Sequence, residues 1–371
     1  MASARRLALV AASAALAAGS LAVAGCGDDS ATADTGPGDA TAAGSDVSGT
    51  IAGAGASSQD AAMEAWIAGF QQANPGATIS YDPVGSGGGR EQFVAGGTVF
   101  GGTDAHLADE ELTGAQKVCG GVDNLIEIPV YVSPIAVAYN LPGVDALNLS
   151  PGTLAKIMKR DITRWDDPAI AADNPGAALP DTPITTVSRS DESGTTENFQ
   201  EYLAAAAPDV WTFEVDGNWP VKGGESAQGT SGVVDAIGAG EGAIGYADAS
   251  QVADLGVAGI KVGADYVPPS PEAAAAILEE SPETDDPGRF VFTYDLKRDT
   301  SAEGTYPIVL VSYEMACTEY AKAQDAAVVK PFLSWVISPD GQRAAAAAAG
   351  SAPLSEAIRT RIQPAIDAIG S

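Results

Sequence analysis

The sequence predicts an α/β protein with largely parallel sheets. Three observations carry that expectation. Apolar β-like segments alternate with helix-like ones, the turns between them are rich in glycine and hydroxyl residues, and 371 residues suffice for about two domains at roughly 100 to 200 residues each. A hydrophobic content of 45% with only 6% aromatics marks a globular, alanine-rich and valine-rich chain rather than a disordered one.

Taken in chain order, the first element is not part of the fold. Arg5 and Arg6 precede an apolar run from Leu7 to Ala24, the layout of a secretory signal over residues 1–25. The run ends Val23-Ala24-Gly25-Cys26, which resembles the bacterial lipobox and implies that Cys26 becomes the lipidated first residue of the mature protein. The alternative, a transmembrane anchor with an incidental cysteine, fits less well because the run is alanine-rich and short for a span. From Gly27 to Asp46 nearly every residue is Gly, Ala, Ser, Thr or Asp, so residues 26–47 read as a lipidated N-terminus and a flexible acidic tether.

Beyond Val47, strands are expected at Thr50 to Ala52, Thr78 to Tyr81, Leu125 to Val130, Ile135 to Tyr139, Ile184 to Val187, Ala243 to Tyr246 and Ile308 to Tyr313. Met63, Trp66, Ile67 and Phe70 make one apolar face of a helix that Asn74-Pro75-Gly76 ends. Further helices are expected after Gly89, Ser150, Thr196, Ser231, Ser270 and Asp325, and the alanine run Ala344 to Ala349 reads as another. Glu279 to Gly288, acidic and proline-containing, looks like a surface excursion. No repeat period is visible, which excludes a solenoid or propeller.

Three polar turns carry the chemistry. Arg189-Ser190-Asp191-Glu192-Ser193-Gly194-Thr195-Thr196 lies between a strand and a helix whose apolar positions are Phe199, Tyr202 and Leu203. Free N–H groups and the dipole at such a helix start favour an anion, and an arginine adds bidentate recognition. The alternative is an ordinary cap, with Ser193 or Thr195 satisfying N–H groups and Arg189 paired with Asp191. Gly53-Ala54-Gly55-Ala56-Ser57-Ser58 and Gly85-Ser86-Gly87-Gly88-Gly89-Arg90 repeat the arrangement, where succeeding N–H groups can form an anion nest or simply punctuate the chain. Neither is a Walker A loop or a dinucleotide fingerprint. Asp104, in Phe100-Gly101-Gly102-Thr103-Asp104-Ala105, is an odd neighbour for an oxyanion unless the ligand carries a proton. An ionised carboxylate accepts from P–OH and rejects sulfate, which has no proton to offer.

A net charge of −30, from 19 basic against 49 acidic residues, argues against nucleic acid or an acidic membrane surface as electrostatic partners. It does not exclude an anionic ligand, because surface charge is screened within roughly 8 to 10 Å while a buried N–H array acts at contact. Cys119 and Cys317 remain as an even pair outside the reducing cytosol, so a disulfide between them is expected.

Together the three turns, the Asp104 segment, Ile162-Thr163-Arg164-Trp165-Asp166-Asp167-Pro168-Ala169-Ile170 and Gly242-Ala243-Ile244-Gly245-Tyr246 resemble, in order, the phosphate-binding protein family of the bacterial phosphate ABC transporter, from about Ser48 to the C-terminus. That resemblance implies a two-lobed periplasmic-binding-protein fold of type II with a ligand cleft between lobes. Residues 48–132 plus 290–371 would form lobe I and residues 133–289 lobe II. It implies phosphate contacts from Ser57, Ser58, Ser86, Asp104, Arg189, Ser193, Gly194 and Thr195, with Asp191 orienting Arg189. It further implies a monomeric, non-enzymatic binder with neither cofactor nor metal, lipid-anchored at the outer face of the cytoplasmic membrane. Its partners would be inorganic phosphate and permease subunits with a cytoplasmic ATPase. Glu192 departs from the family's usual glycine, Ser58 stands where a bulkier residue is common, and Gly223 to Gly229 matches only loosely. The competing readings are a binder of sulfate, molybdate or a phosphate ester, and an extracytoplasmic phosphatase or serine esterase. A hydrolase would need a base and usually a metal, yet the only histidine is His106, which reads as a solvated loop residue, and the sequence holds no Gly-x-Ser-x-Gly elbow and no metal-ligand spacing.

Overall fold

A computed structural model describes residues 47–370 apart from 108, 253, 286 and 287, all within the unit Gly44–Ser371. The signal segment, Cys26 and the tether lie outside the described residues. The elements begin β1 (Ser48–Gly55), α1 (Asp60–Ala73), β2 (Gly76–Asp82), α2 (Ser86–Val94), β3 (Phe100–Thr103), α3 (Asp109–Val118) and β4 (Leu125–Asn140). There follow β5 (Asn148–Leu149), α4 (Pro151–Met158), α5 (Pro168–Asp173), β6 (Thr185–Arg189), α6 (Gly194–Ala206), β7 (Glu225–Ala227), α7 (Gly229–Ala239) and β8 (Ala243–Asp248). The chain ends with β9 (Gly256–Val257), β10 (Gly259–Val262), β11 (Asp265–Val267), α8 (Pro271–Glu280), β12 (Phe290–Val291), β13 (Val309–Cys317), α9 (Ala323–Ile337), α10 (Pro339–Ala349) and α11 (Glu356–Asp367).

Strands run β2-β1-β3-β13-β4-β8-β6-β7, with β9 and β12 also pairing along β4, and β11-β10-β5 form a small separate sheet. Pairing is parallel at both outer ends, where β1 lies beside β2 and β3, and β6 beside β7 and β8. It is antiparallel through the middle, where β13 meets β3 and β4, and β4 meets β8. The sheet is thus mixed rather than largely parallel. β13 returns from the C-terminal part of the chain to fill the centre, a pairing that needs no crossover helix.

The two strands expected at Leu125 and Ile135 are one, β4. Its residues Leu125 to Pro134 pair with β13, and Ile135 to Asn140 pair with β8. Pro129 and Pro134 suggest a break in the sequence because proline donates no ladder hydrogen bond. Pro129 is accommodated at a register shift beside Ser312 and Tyr313, and Pro134 where β4 changes partner.

Met63, Trp66 and Phe70 bury the inner face of α1, and the Trp66 indole donates to Gly341 O at 2.9 Å, pinning α1 to α10. Trp165 is buried with its indole donating to Gly242 O at 3.0 Å, and Asp167 caps α5 by accepting from Ala169 N. The Ile162 to Ile170 motif therefore serves the fold. Cys119 and Cys317 form the expected disulfide, Cα to Cα 5.2 Å, tying the end of α3 to the end of β13. Among the described residues no helix is long and apolar enough to cross a membrane.

Candidate functional site

The polar turns all follow the carboxyl ends of parallel strands, where α/β sheets place ligands. Ser57 and Ser58 follow β1, Ser86 opens α2 after β2, Asp104 follows β3, and Ser193 to Thr195 open α6 after β6. The expected loop at Gly85 to Gly89 is mostly the first turn of α2, which begins at Ser86. Its glycines answer to close approaches. A Cβ on Gly85, whose φ is +99°, would lie 2.5 Å from Asp191 Oδ2, and one on Gly89 would lie 2.4 Å from Gly55 Cα. One on Gly194 would lie 2.8 Å from both Asp104 Cβ and Ser86 Oγ.

Asp104 is the centre of the cluster and only 3% exposed. Ser58 Oγ donates to Oδ1 at 2.6 Å and Oδ2 at 2.8 Å, Ser312 Oγ to Oδ1 at 2.7 Å, and Thr195 Oγ1 to Oδ2 at 2.9 Å. Burial raises the Asp104 pKa, opposed by these three hydroxyls and by Arg189. Three donors leave room for one more on a carboxylate with about four lone-pair sites.

Arg189 is equally buried, and its Nε donates to Asp191 Oδ1 at 2.8 Å while Nη2 donates to Oδ2. Burial works to raise the Asp191 pKa, but the Arg189 guanidinium and the Gly229 N–H outweigh it and hold the carboxyl below its ordinary value. The expected pairing of Arg189 with Asp191 is thus present. Tyr246 braces the same strand end: its hydroxyl accepts from Arg189 N at 3.3 Å and is hydrogen-bonded to Thr196 Oγ1 at 2.7 Å.

The hydroxyls divide by what they do with their protons. Ser86 Oγ accepts from Asp104 N at 3.1 Å, and Ser193 Oγ accepts from Thr196 N at 3.2 Å as the cap of α6, so each keeps its own proton to donate. Ser57 Oγ accepts from Thr230 N at 3.1 Å and lies 3.1 Å from Thr230 Oγ1. Ser58 and Thr195 donate their hydroxyl hydrogen bonds to Asp104, which leaves their backbone N–H groups for a ligand. N–H groups in the first turn of α2 and α6 have no acceptor within their own helices. The arrangement therefore offers hydroxyl protons, first-turn N–H groups and a guanidinium around one acceptor carboxylate. It can hold a tetrahedral oxyanion that carries a proton.

The cap reading of the 189–196 turn is correct in its details, since Ser193 caps and Arg189 pairs with Asp191. Thr195 is the residue that reaches beyond the cap. Glu192 is partly exposed and directed to Arg90, its Oε1 accepting from Arg90 Nη2 at 2.7 Å. Beside Asp104 opens a cleft of about 420 Å³ whose lining includes His106, Glu197, Glu201 and Arg298. Burial lifts the Glu197 pKa to about 7, with Arg90 opposing.

Four residues of the cluster are absent from the sequence reading: Ser312, Asn198, Arg298 and Thr230. Asn198 Nδ2 donates to Asp104 O and Gly194 O, each at 2.8 Å, and Arg298 Nη2 donates to Asn198 Oδ1. Only Asn198 had a local signal, one turn after Gly194 in a helix facing the site.

A family profile described as the PBP superfamily domain matches residues 40–340. The phosphate-binding protein PstS 3 of Mycobacterium leprae is 36% identical over 369 residues, covering 95% of this chain and 96% of that protein. The phosphate-binding protein PstS of Methanocaldococcus jannaschii is 31% identical over 319 residues, covering 80% of each. Among solved structures, the periplasmic phosphate-binding protein PfluDING bound with phosphate superposes with a TM-score of 0.68 at 22% identity, covering 85% of this chain and 93% of that one. A putative phosphate ABC transporter substrate-binding protein from Clostridium perfringens with bound phosphate gives a TM-score of 0.59 at 19% identity, covering 83% of this chain and all of that one.

Proposed function

The chain belongs to the PBP superfamily and, within it, to the PstS phosphate-binding proteins, and on that premise we propose that it captures inorganic phosphate outside the cytoplasmic membrane and delivers it to an ABC transporter permease. The observation that carries the reading is the meeting of Asp104 with the Arg189 to Thr195 turn, joined by the Thr195 to Asp104 hydrogen bond at 2.9 Å. The turn supplies the grip on a tetrahedral anion, and the carboxylate accepts the proton that phosphate has and sulfate lacks.

In this reading residues 48–132 with 290–371 form one lobe and residues 133–289 the other. The partner change of β4 at Pro134 and Ile135 supports a boundary there. Phosphate bound by Ser57, Ser58, Ser86 and Asp104 from the first lobe and by Arg189, Ser193, Gly194 and Thr195 from the second favours the closed arrangement, and that bias is what a permease reads. Each hydrogen bond to the charged ligand contributes about 1.5 to 3 kcal/mol, so a handful yields micromolar binding or tighter after closure is offset. No bond is made or broken in the ligand. Cys26 would carry the lipid that keeps the protein, as a monomer, at the membrane face.

Calorimetric titration of the ligand-stripped protein with phosphate and with sulfate tests the reading. Tight phosphate binding with weak or no sulfate binding is expected. Equal affinities, or none for phosphate, would overturn it in favour of another oxyanion or another role.

A further inference from the structure

Arg90 is a buried arginine that none of the ligand contacts uses. Only 4% of its side chain is exposed, and all three guanidinium nitrogens are engaged on different segments. Nε donates to Glu111 Oε1 at 2.9 Å, Nη1 to Thr103 Oγ1 at 3.0 Å, and Nη2 to Glu192 Oε1 at 2.7 Å. Thr103 directly precedes Asp104, and its Oγ1 in turn donates to Ala105 O at 2.5 Å. Glu192 directly precedes Ser193, the cap of α6. One side chain thus holds the residue before the selectivity carboxylate and the residue before the oxyanion turn.

We propose that Arg90 is a positioning residue for phosphate binding, tying the Asp104 loop to the Arg189 to Thr195 turn through its ion pair with Glu192.

The surroundings are built for that tie. A Cβ on Gly87 would lie 2.6 Å from Glu192 Cδ, so glycine there leaves the path that the Glu192 side chain takes across the start of α2. Gly87 N also donates to Glu192 O at 3.3 Å, fixing the backbone beside the pair. Burial alone would depress the Arg90 pKa, and Glu111, Glu197 and Glu192 around it more than compensate. Only a planar fork reaches three acceptors in this way; a lysine would lose the geometry while keeping the charge. The Glu192 side chain remains 46% exposed, so its pair with Arg90 is open to salt screening.

The inference rests on the phosphate reading, and its sign separates it from a simple alternative. An acid that merely sat near the anion would repel it, so E192Q would then bind phosphate more tightly. As one half of a tie, E192Q instead releases phosphate faster. The experiment is stopped-flow release of phosphate from wild type and E192Q across a range of sodium chloride, with urea unfolding of the ligand-stripped proteins alongside. E192Q is expected to raise the dissociation rate about 2- to 10-fold at low salt, the range of an ion pair with one exposed member. It should also lose most of the salt dependence that wild type shows, with the urea midpoint nearly unchanged. E192D, which keeps the charge on a shorter arm, should fall between the two. Release rates identical in wild type and E192Q at every salt concentration, or slower in E192Q, would overturn the inference. So would a urea midpoint that drops while the release rate stays put. Wild type that fails to bind phosphate at all would instead overturn the reading beneath it.

Discussion

Replacing Asp104 by asparagine removes one charge and swaps one acceptor oxygen for a donor at a buried point of the site. Oδ1 can still accept from Ser312, which lies 2.7 Å away, while the new amide nitrogen faces Thr195, 2.9 Å from Oδ2. The Thr195 hydroxyl can turn and accept, so the local fold survives. What is lost is the acceptor for a ligand proton, a charge-assisted hydrogen bond of about 1.5 to 3 kcal/mol, or roughly 10- to 150-fold in phosphate affinity. Sulfate moves the other way, since the amide offers it a donor where the carboxylate presented a buried like charge. The ratio of phosphate to sulfate affinity should therefore fall by more than phosphate affinity alone. Calorimetry of both anions against wild type and D104N reads both quantities, with a thermal melt of the ligand-free proteins to check folding. If D104N keeps the wild-type preference for phosphate, selectivity does not reside in Asp104 and the reasoning fails.

Other outcomes follow from the same geometry. G194A places a methyl against Asp104 Cβ and Ser86 Oγ, each 2.8 Å away, and against Ala105 N at 2.7 Å. Overpacking of that kind costs about 1 to 3 kcal/mol, so phosphate should bind roughly 5- to 150-fold more weakly by calorimetry, and an unchanged Kd would mean that Gly194 and Asp104 do not meet in the bound state. Asp248 is fully buried, its Oδ1 accepting from Tyr131 at 3.1 Å and Ser250 N at 2.9 Å, and burial lifts its pKa from 3.8 to about 6. A carboxyl raised on folding stabilises the fold fully below about pH 4, and that contribution is lost as pH rises through about 6. D248N should then be more stable than wild type at pH 7.5, by on the order of 3 kcal/mol, and equal to it near pH 4 in urea titrations. A difference that does not vary with pH would refute this. Replacing both Cys119 and Cys317 by alanine should cost about 2 to 5 kcal/mol of stability, and leave the phosphate Kd unchanged because the bridge joins α3 to the far end of β13. A parallel loss of affinity would show that the bridge also shapes the site.

Much of this was legible in the sequence wherever the signal was local. Each of the units β1-α1, β2-α2 and β6-α6 announces itself as a strand, a small-residue turn and an amphipathic helix within some thirty residues. The turns proposed to bind lie inside those units. Ser312 could not be found in that way. It sits 208 residues from Asp104 within the continuous buried strand β13, where a lone serine among Val, Leu and Tyr carries no pattern. Arg298 and Thr230 are hidden for the same reason, being brought to the site by the return of β13 and by α7. How the hydroxyls are used is not visible in the sequence either. Ser58 points its proton at Asp104, because a buried carboxylate must be satisfied before a ligand is served. Glu192 turns outward because Arg90, buried beneath it, needs the charge.

The charge bookkeeping of the site explains how a chain of net charge −30 can hold an anion. The three buried arginines around Asp104 each have carboxylates: Arg189 has Asp191, Arg90 has Glu111 and Glu192, and Arg298 has Glu201. Their charges are matched within the protein, so no unpaired cation is buried when the ligand leaves. In the proposed site the ligand would be met by dipoles, namely first-turn N–H groups and hydroxyl protons, and by the outward face of a guanidinium whose charge its partner already balances. Dipoles act at contact and are little screened, whereas the half-exposed Arg90 to Glu192 pair is screened readily. Salt should therefore act on this protein through the tie between its segments far more than through the contacts that recognise the anion. A phosphate-to-sulfate preference that holds from low to high ionic strength, while the phosphate release rate rises, is the expected signature of that division. A preference that collapses with salt would place recognition in long-range charge instead.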